Sequence, residues 1–222
     1  MELIWGKKMI CPVCGQHFEA YNVHLNKISL SKLEPDLFPV YSKMNPLFFS
    51  LYTCPRCKYT AFPDDFEKFE DFKKETKLKI REVLKKFENT KINLSKERTL
   101  EDAIKMHSIA FLIYSSYTKD ILILAELSLK LGWLNRLNND KEKEVYFKLQ
   151  TIKYLEEAFD KGKTNPKFSE IKIMYLIGEI NYEFERYDKA KQWLGRLVEY
   201  SYRNGKNPLI PMAKNILEEM KK

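Results

Sequence analysis

Glycine is scarce in this chain, at seven of 222 residues, and no phosphate-cradling glycine loop can be assembled from them. Histidine is scarcer, with three residues, and none falls in a His-Glu-x-x-His pattern or pairs convincingly with a nucleophile, so the chain is expected to be non-enzymatic. Long apolar runs are missing too. A membrane span needs about 20 apolar residues, and the nearest stretch is the short Ile121 to Ala125. The opening MELIWGKKMI lacks a continuous apolar core and a small-residue cleavage site, so the expected location is cytoplasmic, with no membrane partner.

Proline is absent between Pro63 and Pro166, whereas six of the nine prolines fall in the first 63 residues. Because proline removes a backbone donor and clashes inside helices, turns and short strands are expected before Pro63 and long helices after it. We therefore divide the chain into a small module, residues 1–63, and a helical domain, residues 64–222. The formal charge of +8 is spread thinly, with 7 basic against 4 acidic residues before position 64 and 32 against 27 after it. Signs alternate from Asp64 to Lys91 as on a solvated helix face, and no basic arm stands out, which makes nucleic acid a second-choice partner.

What the chain does contain is four cysteines in two close pairs, Cys11-Pro-Val-Cys14-Gly15 and Cys54-Pro-Arg-Cys57-Lys58. In a reducing compartment such pairs read as metal ligands before disulfides. Proline after the first cysteine presets a tight turn that brings two thiolates toward one ion, and four thiolates leave no open coordination position, which points to a structural site. Zinc is the expected metal and iron the competitor, since rubredoxins carry similar knuckles. Gly15 suits the left-handed position after such a turn; Lys58 at the matching place must either accept strain of about 1 to 2 kcal/mol or belong to a different turn. The 39 residues between the pairs exceed the roughly 15 to 20 of compact ribbons. His17 and His24 are close enough in sequence to replace a ligand, but four cysteines already complete a tetrahedron, and His107 falls within a helix.

Around the knuckles, Phe18 to Leu30 alternates and then changes phase, as a bulged strand would, and Leu47 to Thr53 is β-rich. Two strands leading into two knuckles would make a zinc-ribbon-like β module. Beyond it, helices are expected from Asp64 to Phe87, Thr99 to Tyr117, Asp120 to Leu137, Lys141 to Phe159, Phe168 to Glu185, Tyr187 to Arg203 and Pro208 to Met220. The fold class is thus mainly α, with about seven antiparallel helices.

The stretch Ile171 to Tyr202 resembles a tetratricopeptide hairpin: small residues Gly178 and Ala190 allow close approach while Tyr182 and Tyr187 fill the space beside them. A weaker copy lies upstream, with Gly132 matching Gly178 and Leu155 and Ala158 matching Leu194 and Leu197. An irregular bundle would show the same pattern. If the glycines are equivalent, Trp133, Arg136, Tyr175, Glu179 and Tyr182 line a concave face, where aromatics could anchor a protein or peptide and the charged pair select it. The alternative is that Trp133 and Tyr182 pack between hairpins.

The combination of CPVCG at Cys11, NPLFFSLYTCPRCKY from Asn45 to Tyr59 and YLIGEINYEFERYDKAKQWLGR from Tyr175 to Arg196 resembles the bacterial family known as domain of unknown function 2225. The resemblance spans most of the chain and places Cys11, Cys14, Cys54 and Cys57 on the family's paired cysteines, with Lys58 departing from its glycine. It implies a cysteine-knuckle module joined to tetratricopeptide-like helices and supplies no activity. Of three readings, a zinc-binding interaction scaffold comes first, a nucleic-acid-binding ribbon second and a rubredoxin-like iron protein third.

Overall fold

A computed structural model describes residues 2–204 and 207–221. Six short strands precede seven helices. The strands β1 (Ile4–Ile10) and β2 (His17–Val23), β3 (Leu30–Leu33) and β4 (Pro39–Tyr41), and β5 (Tyr52–Thr53) and β6 (Thr60–Ala61) form three separate antiparallel pairs. The helices are α1 (Lys74–Lys85), α2 (Leu100–Tyr117), α3 (Ile121–Leu137), α4 (Lys141–Asp160), α5 (Glu170–Glu183), α6 (Tyr187–Asn204) and α7 (Leu209–Glu219). Among the described residues, no helix is long and apolar enough to cross a membrane.

Caps explain why the helix starts were legible. Thr99 and Asp102 form a reciprocal capping box on α2, while Asp120, Asp140 and Ser169 each accept a backbone N–H at the starts of α3, α4 and α5. Three local expectations need correction. The phase change after β2 is a single 3-10 turn, Leu25–Lys27, rather than a bulge within one strand. The first part of the β-rich run is another 3-10 turn, Pro46–Phe49, because Asn45 caps it and Pro46 sits at its first position, and only Tyr52–Thr53 is strand. The helix expected from Asp64 begins only at Lys74, after a 3-10 turn over Glu67–Asp71. There Phe66, Phe69 and Phe72 recur every third residue, the period of a 3-10 helix, and the first two are fully buried against the cysteine module.

Two apolar cores organise the molecule. One joins Cys11, Cys54, Leu51 and Tyr59 to Phe66, Phe69, Ile80 and the α2 residues Met106, Ile109 and Ile113, so α1 and α2 share a core with the cysteine hairpins. Tyr114 on α2 ties this seam, donating to Asp65 at 2.8 Å and accepting the Phe62 N–H at 3.2 Å. The second core is built on α3 to α7, with Phe38 and Leu47 reaching into it from the N-terminal segment.

Within the second core, contacts recur 46 residues apart. A Cβ on Gly178 would lie 2.6 Å from Leu194, and one on Gly132 would lie 3.1 Å from Lys148, so each glycine admits a residue of the following helix. Asn135 and Asn181 each donate to the carbonyl four residues back, at 2.8 and 2.7 Å. The turns after α3 and α5 both use a left-handed residue, Asn139 at φ 57° and Glu185 at φ 58°. The contacts pair Lys148, and not Leu155, with Leu194, which shifts the expected second-helix match by seven residues. Lys148 thus stands where the other hairpin has leucine.

Candidate functional site

The two cysteine pairs sit at the tips of matching hairpins. Between β1 and β2, the Cys11 N–H donates to Gln16 O at 2.9 Å and the Gly15 N–H to Cys11 O at 2.9 Å; between β5 and β6, Cys54 donates to Tyr59 O at 2.9 Å and Lys58 to Cys54 O at 3.1 Å. Gly15 takes φ 71° and Lys58 φ 62°, so the second knuckle keeps the turn and accepts the strain. The Lys58 ammonium folds back onto the Pro55 carbonyl.

All four sulfurs lie within 4.8 Å of one another, with 3.6 Å between Cys11 and Cys57 and between Cys14 and Cys54. A tetrahedral ion with metal–sulfur bonds of roughly 2.3 Å sets its ligand sulfurs about 3.8 Å apart, whereas a disulfide needs about 2.05 Å. The cluster therefore has the dimensions of a four-thiolate metal site. Cys11 and Cys54 are buried, Cys14 and Cys57 half-buried. Crowding sets the thiols against one another: hydrogen bonds from Cys11 and then Cys57 hold the Cys54 thiol down at about 2, while that with Cys54 pushes Cys11 up to about 12. Cys57 is likewise raised, by Cys11 and then Cys54. Four thiolates at this spacing need a cation before all can ionise. Backbone amides of Val13, Cys14, Arg56 and Tyr59 point at these sulfurs, and Arg56, Arg81 and Lys85, against one carboxylate, Glu88, line a cleft beside Cys57. Both features oppose the negative charge of a four-thiolate centre.

No histidine joins the sulfur cluster. His17 is exposed and His24 sits beside the Trp5 ring. His107 is a core residue: its Nδ1 lies 2.8 Å from Ala103 O, which must receive a proton, leaving Nε2 to accept from Ser50 Oγ at 3.1 Å. Burial, and then the charge of Lys130, depress its pKa to about 3, so the ring is neutral.

The expected concave face is occupied by the chain itself. Residues 35–38, in the turn between β3 and β4, enter the space between α3 and α5, with Leu37 at φ 65°. Asp36 accepts from Trp133 Nε1 at 3.0 Å and from Arg136 at 3.3 Å, and Tyr175 OH donates to Pro35 O at 2.9 Å. Four of the five residues read from sequence as partner-facing, Trp133, Arg136, Tyr175 and Glu179, therefore do converge, but Trp133, Tyr175 and Glu179 are buried beneath this segment. Tyr182 does not join them. It donates to Glu219 on α7 at 3.0 Å, because α7 covers that end of α5.

Sequence reasoning missed the two residues at the centre of this face, Asp36 and Lys148. Lys148 is fully buried and forms ion pairs with Asp36 and Glu144 at 3.1 Å each, and with Glu183. Its alkyl stem passes over Gly132, whose missing Cβ makes room. Burial, then the neighbouring charges of Asp36 and Glu183, push the Glu179 carboxyl up to about 8. With Glu179 neutral, the carboxylates of Asp36, Glu144 and Glu183 meet the cations of Lys148, Arg136 and Lys141, three against three, with Lys141 at the exposed edge of the cluster.

The model of a family described as "Uncharacterized protein conserved in bacteria (DUF2225)" matches residues 4–220. An uncharacterized protein of Borreliella burgdorferi is 27% identical over 225 residues, covering 90% of this chain and 78% of that protein. No solved structure matches significantly.

Proposed function

We propose that this chain, which belongs to the bacterial family DUF2225, is a non-enzymatic interaction scaffold in which a zinc centre at Cys11, Cys14, Cys54 and Cys57 braces a tetratricopeptide-like groove for protein or peptide. The observation that carries this reading is the groove's present occupant. A tight turn of chain, residues 35–38, is held there by a contact from Tyr175 to its backbone and by contacts from Trp133 and Arg136 to its acidic side chain, so the walls of the groove already bind a short stretch of polypeptide. A four-thiolate ion closes its own coordination sphere and leaves no position for substrate, which favours bracing over chemistry. Zinc is preferred to iron because it is the common ion of such closed sites.

A photo-crosslinking residue placed at Tyr41 beside the groove, against one at the exposed Tyr146 on α4, tests the scaffold in living cells. A discrete protein adduct from position 41 alone supports it; equal adducts from both positions, or nucleic-acid adducts alone, overturn it. Elemental analysis of the same preparation tests the metal. About one zinc per chain is expected, whereas a red protein containing iron would move the reading to electron transfer.

A further inference from the structure

Residues 35–38 fill only part of the groove. Toward the N-terminal ends of α3 and α5 two adjoining cavities remain, sharing Lys130 and Trp133 in their walls. The larger, about 390 Å³, is mostly apolar, with Trp5, Leu25, Phe38, Tyr41 and Leu47 around it. Together with the smaller, about 260 Å³, it offers the volume of an ordinary ligand site.

The smaller cavity has an unbalanced charge. Three ammonium groups border it, those of Lys130, Lys167 and Lys172, and one carboxylate answers them. Glu126 Oε1 accepts from Lys130 at 2.8 Å and from Lys167 at 3.0 Å, and Oε2 accepts from Lys167 at 2.9 Å. Lys172 stands 5.2 Å over the Phe168 ring with no carboxylate partner among the described residues. Lys130 is only 16% exposed at its side chain. Burial first, and then the neighbouring lysines against the pull of Glu126, draw both Lys130 and Lys172 below the ordinary lysine range. Partly desolvated like charges are unfavourable unless an anion completes the site.

We propose that this cleft binds an acidic peptide segment of a partner, a carboxylate seating between Lys130 and Lys172 and an adjacent apolar side chain entering the larger cavity. The proposal rests on the scaffold reading and names its ligand chemistry. A peptide is favoured over other anions because the filled half of the same groove already holds an acid carried by polypeptide, Asp36 in the turn between Pro35 and Leu37, through one backbone and several side-chain contacts.

The test uses the full-length, metal-loaded protein and three fluorescent peptides built from repeated Pro-Xaa-Leu-Phe units, with Asp, Asn or Lys at Xaa. Anisotropy titration should show the Asp peptide binding at least about tenfold more tightly than the Asn peptide, with affinity falling as salt rises. Lys172→Gln, which removes no ion pair among the described residues, should weaken the Asp peptide several-fold, and Lys130→Gln combined with Lys172→Gln by about tenfold or more, with the helical circular dichroism unchanged. Equal affinity for the Asp and Asn peptides, or indifference of the Asp peptide to Lys172→Gln, overturns the proposal. Should the Asn or Lys peptide bind as well as the Asp peptide, the scaffold survives and the acidic preference falls; should none bind, both fall. An oligo-deoxythymidine that binds through the same lysines more tightly than the Asp peptide replaces the peptide with nucleic acid and overturns the assignment.

Discussion

Trp133 donates its indole N–H to the carboxylate of Asp36 at 3.0 Å, a contact that spans 97 positions of the sequence. Through it the N-terminal segment and the helical core are joined at the surface read from sequence as a partner site. Lys148 completes the join from α4, reaching Asp36 past Gly132.

Removing that lysine leaves Asp36, Glu144 and Glu183 short of a buried counter-charge, so Lys148→Ala should destabilise the fold by about 3–5 kcal/mol. Urea unfolding followed by circular dichroism measures it. A loss under about 1 kcal/mol would mean that water shares these charges, as it does in exposed pairs.

Glu179 gives stability a particular pH dependence. Its folded pKa, raised to about 8, exceeds the ordinary carboxyl value of 4.5, so the folded state holds a proton that the unfolded state releases between those limits. This contribution is fully present below pH 4.5 and is lost as pH rises through 8. Glu179→Gln keeps the neutral form throughout. It should match the parent near pH 4 and become progressively more stable than it toward pH 8, in melts recorded across that range.

Chelation should act on one core and spare the other. Cys11 and Cys54 belong to the core that contains Ile80, Met106 and Ile109, while α4 to α7 pack in a separate one. Stripping the metal, or Cys54→Ser, is expected to release about one zinc and speed amide exchange in both cysteine hairpins, α1 and α2. Amides of α4 to α7 should remain protected. Exchange that rises equally everywhere would show the cores to be one cooperative unit.

Two helical glycines offer a paired measurement. Alanine at Gly178 would drive its Cβ to 2.6 Å from Leu194 and should destabilise by about 1–3 kcal/mol, as overpacking does. Alanine at Gly195 meets nothing within 4 Å and should stabilise by about 1 kcal/mol through helix propensity. Melting temperatures that move in the same direction would contradict the close approach of α5 and α6.

The second knuckle carries its own test. Lys58 is held at φ 62°, where glycine is unstrained, so Lys58→Gly should raise stability by about 1 kcal/mol and retain the metal. Loss of metal from this variant would assign the lysine a role beyond its backbone.

The sequence by itself determined the two cysteine pairs that the fold brings together and the limits of α2 to α6, though not the start of α1. Both depend on short-range rules: a Cys-Pro-x-Cys turn presents two thiols whatever surrounds it, and Thr99, Asp120, Asp140 and Ser169 cap their helices within three residues of chain. It also identified the close approach at Gly178, since a small residue between apolar neighbours leaves few other uses. The segment around Phe66 and Phe69 reads as part of the helix expected from Asp64 because periods of 3 and 3.6 differ little over a few residues, and burial against the cysteine module chose the tighter one. Lys148 had a signal in the 46-residue offset, which makes it the counterpart of Leu194, but a lysine in a charged, helical stretch reads as solvated until its neighbours are known. Only tertiary structure decided that Asp36, flanked by Pro35 and two apolar residues in a turn, fills part of the groove. That contact is made by side chains about 100 positions apart, whose charges become significant only where the fold removes water from all of them together.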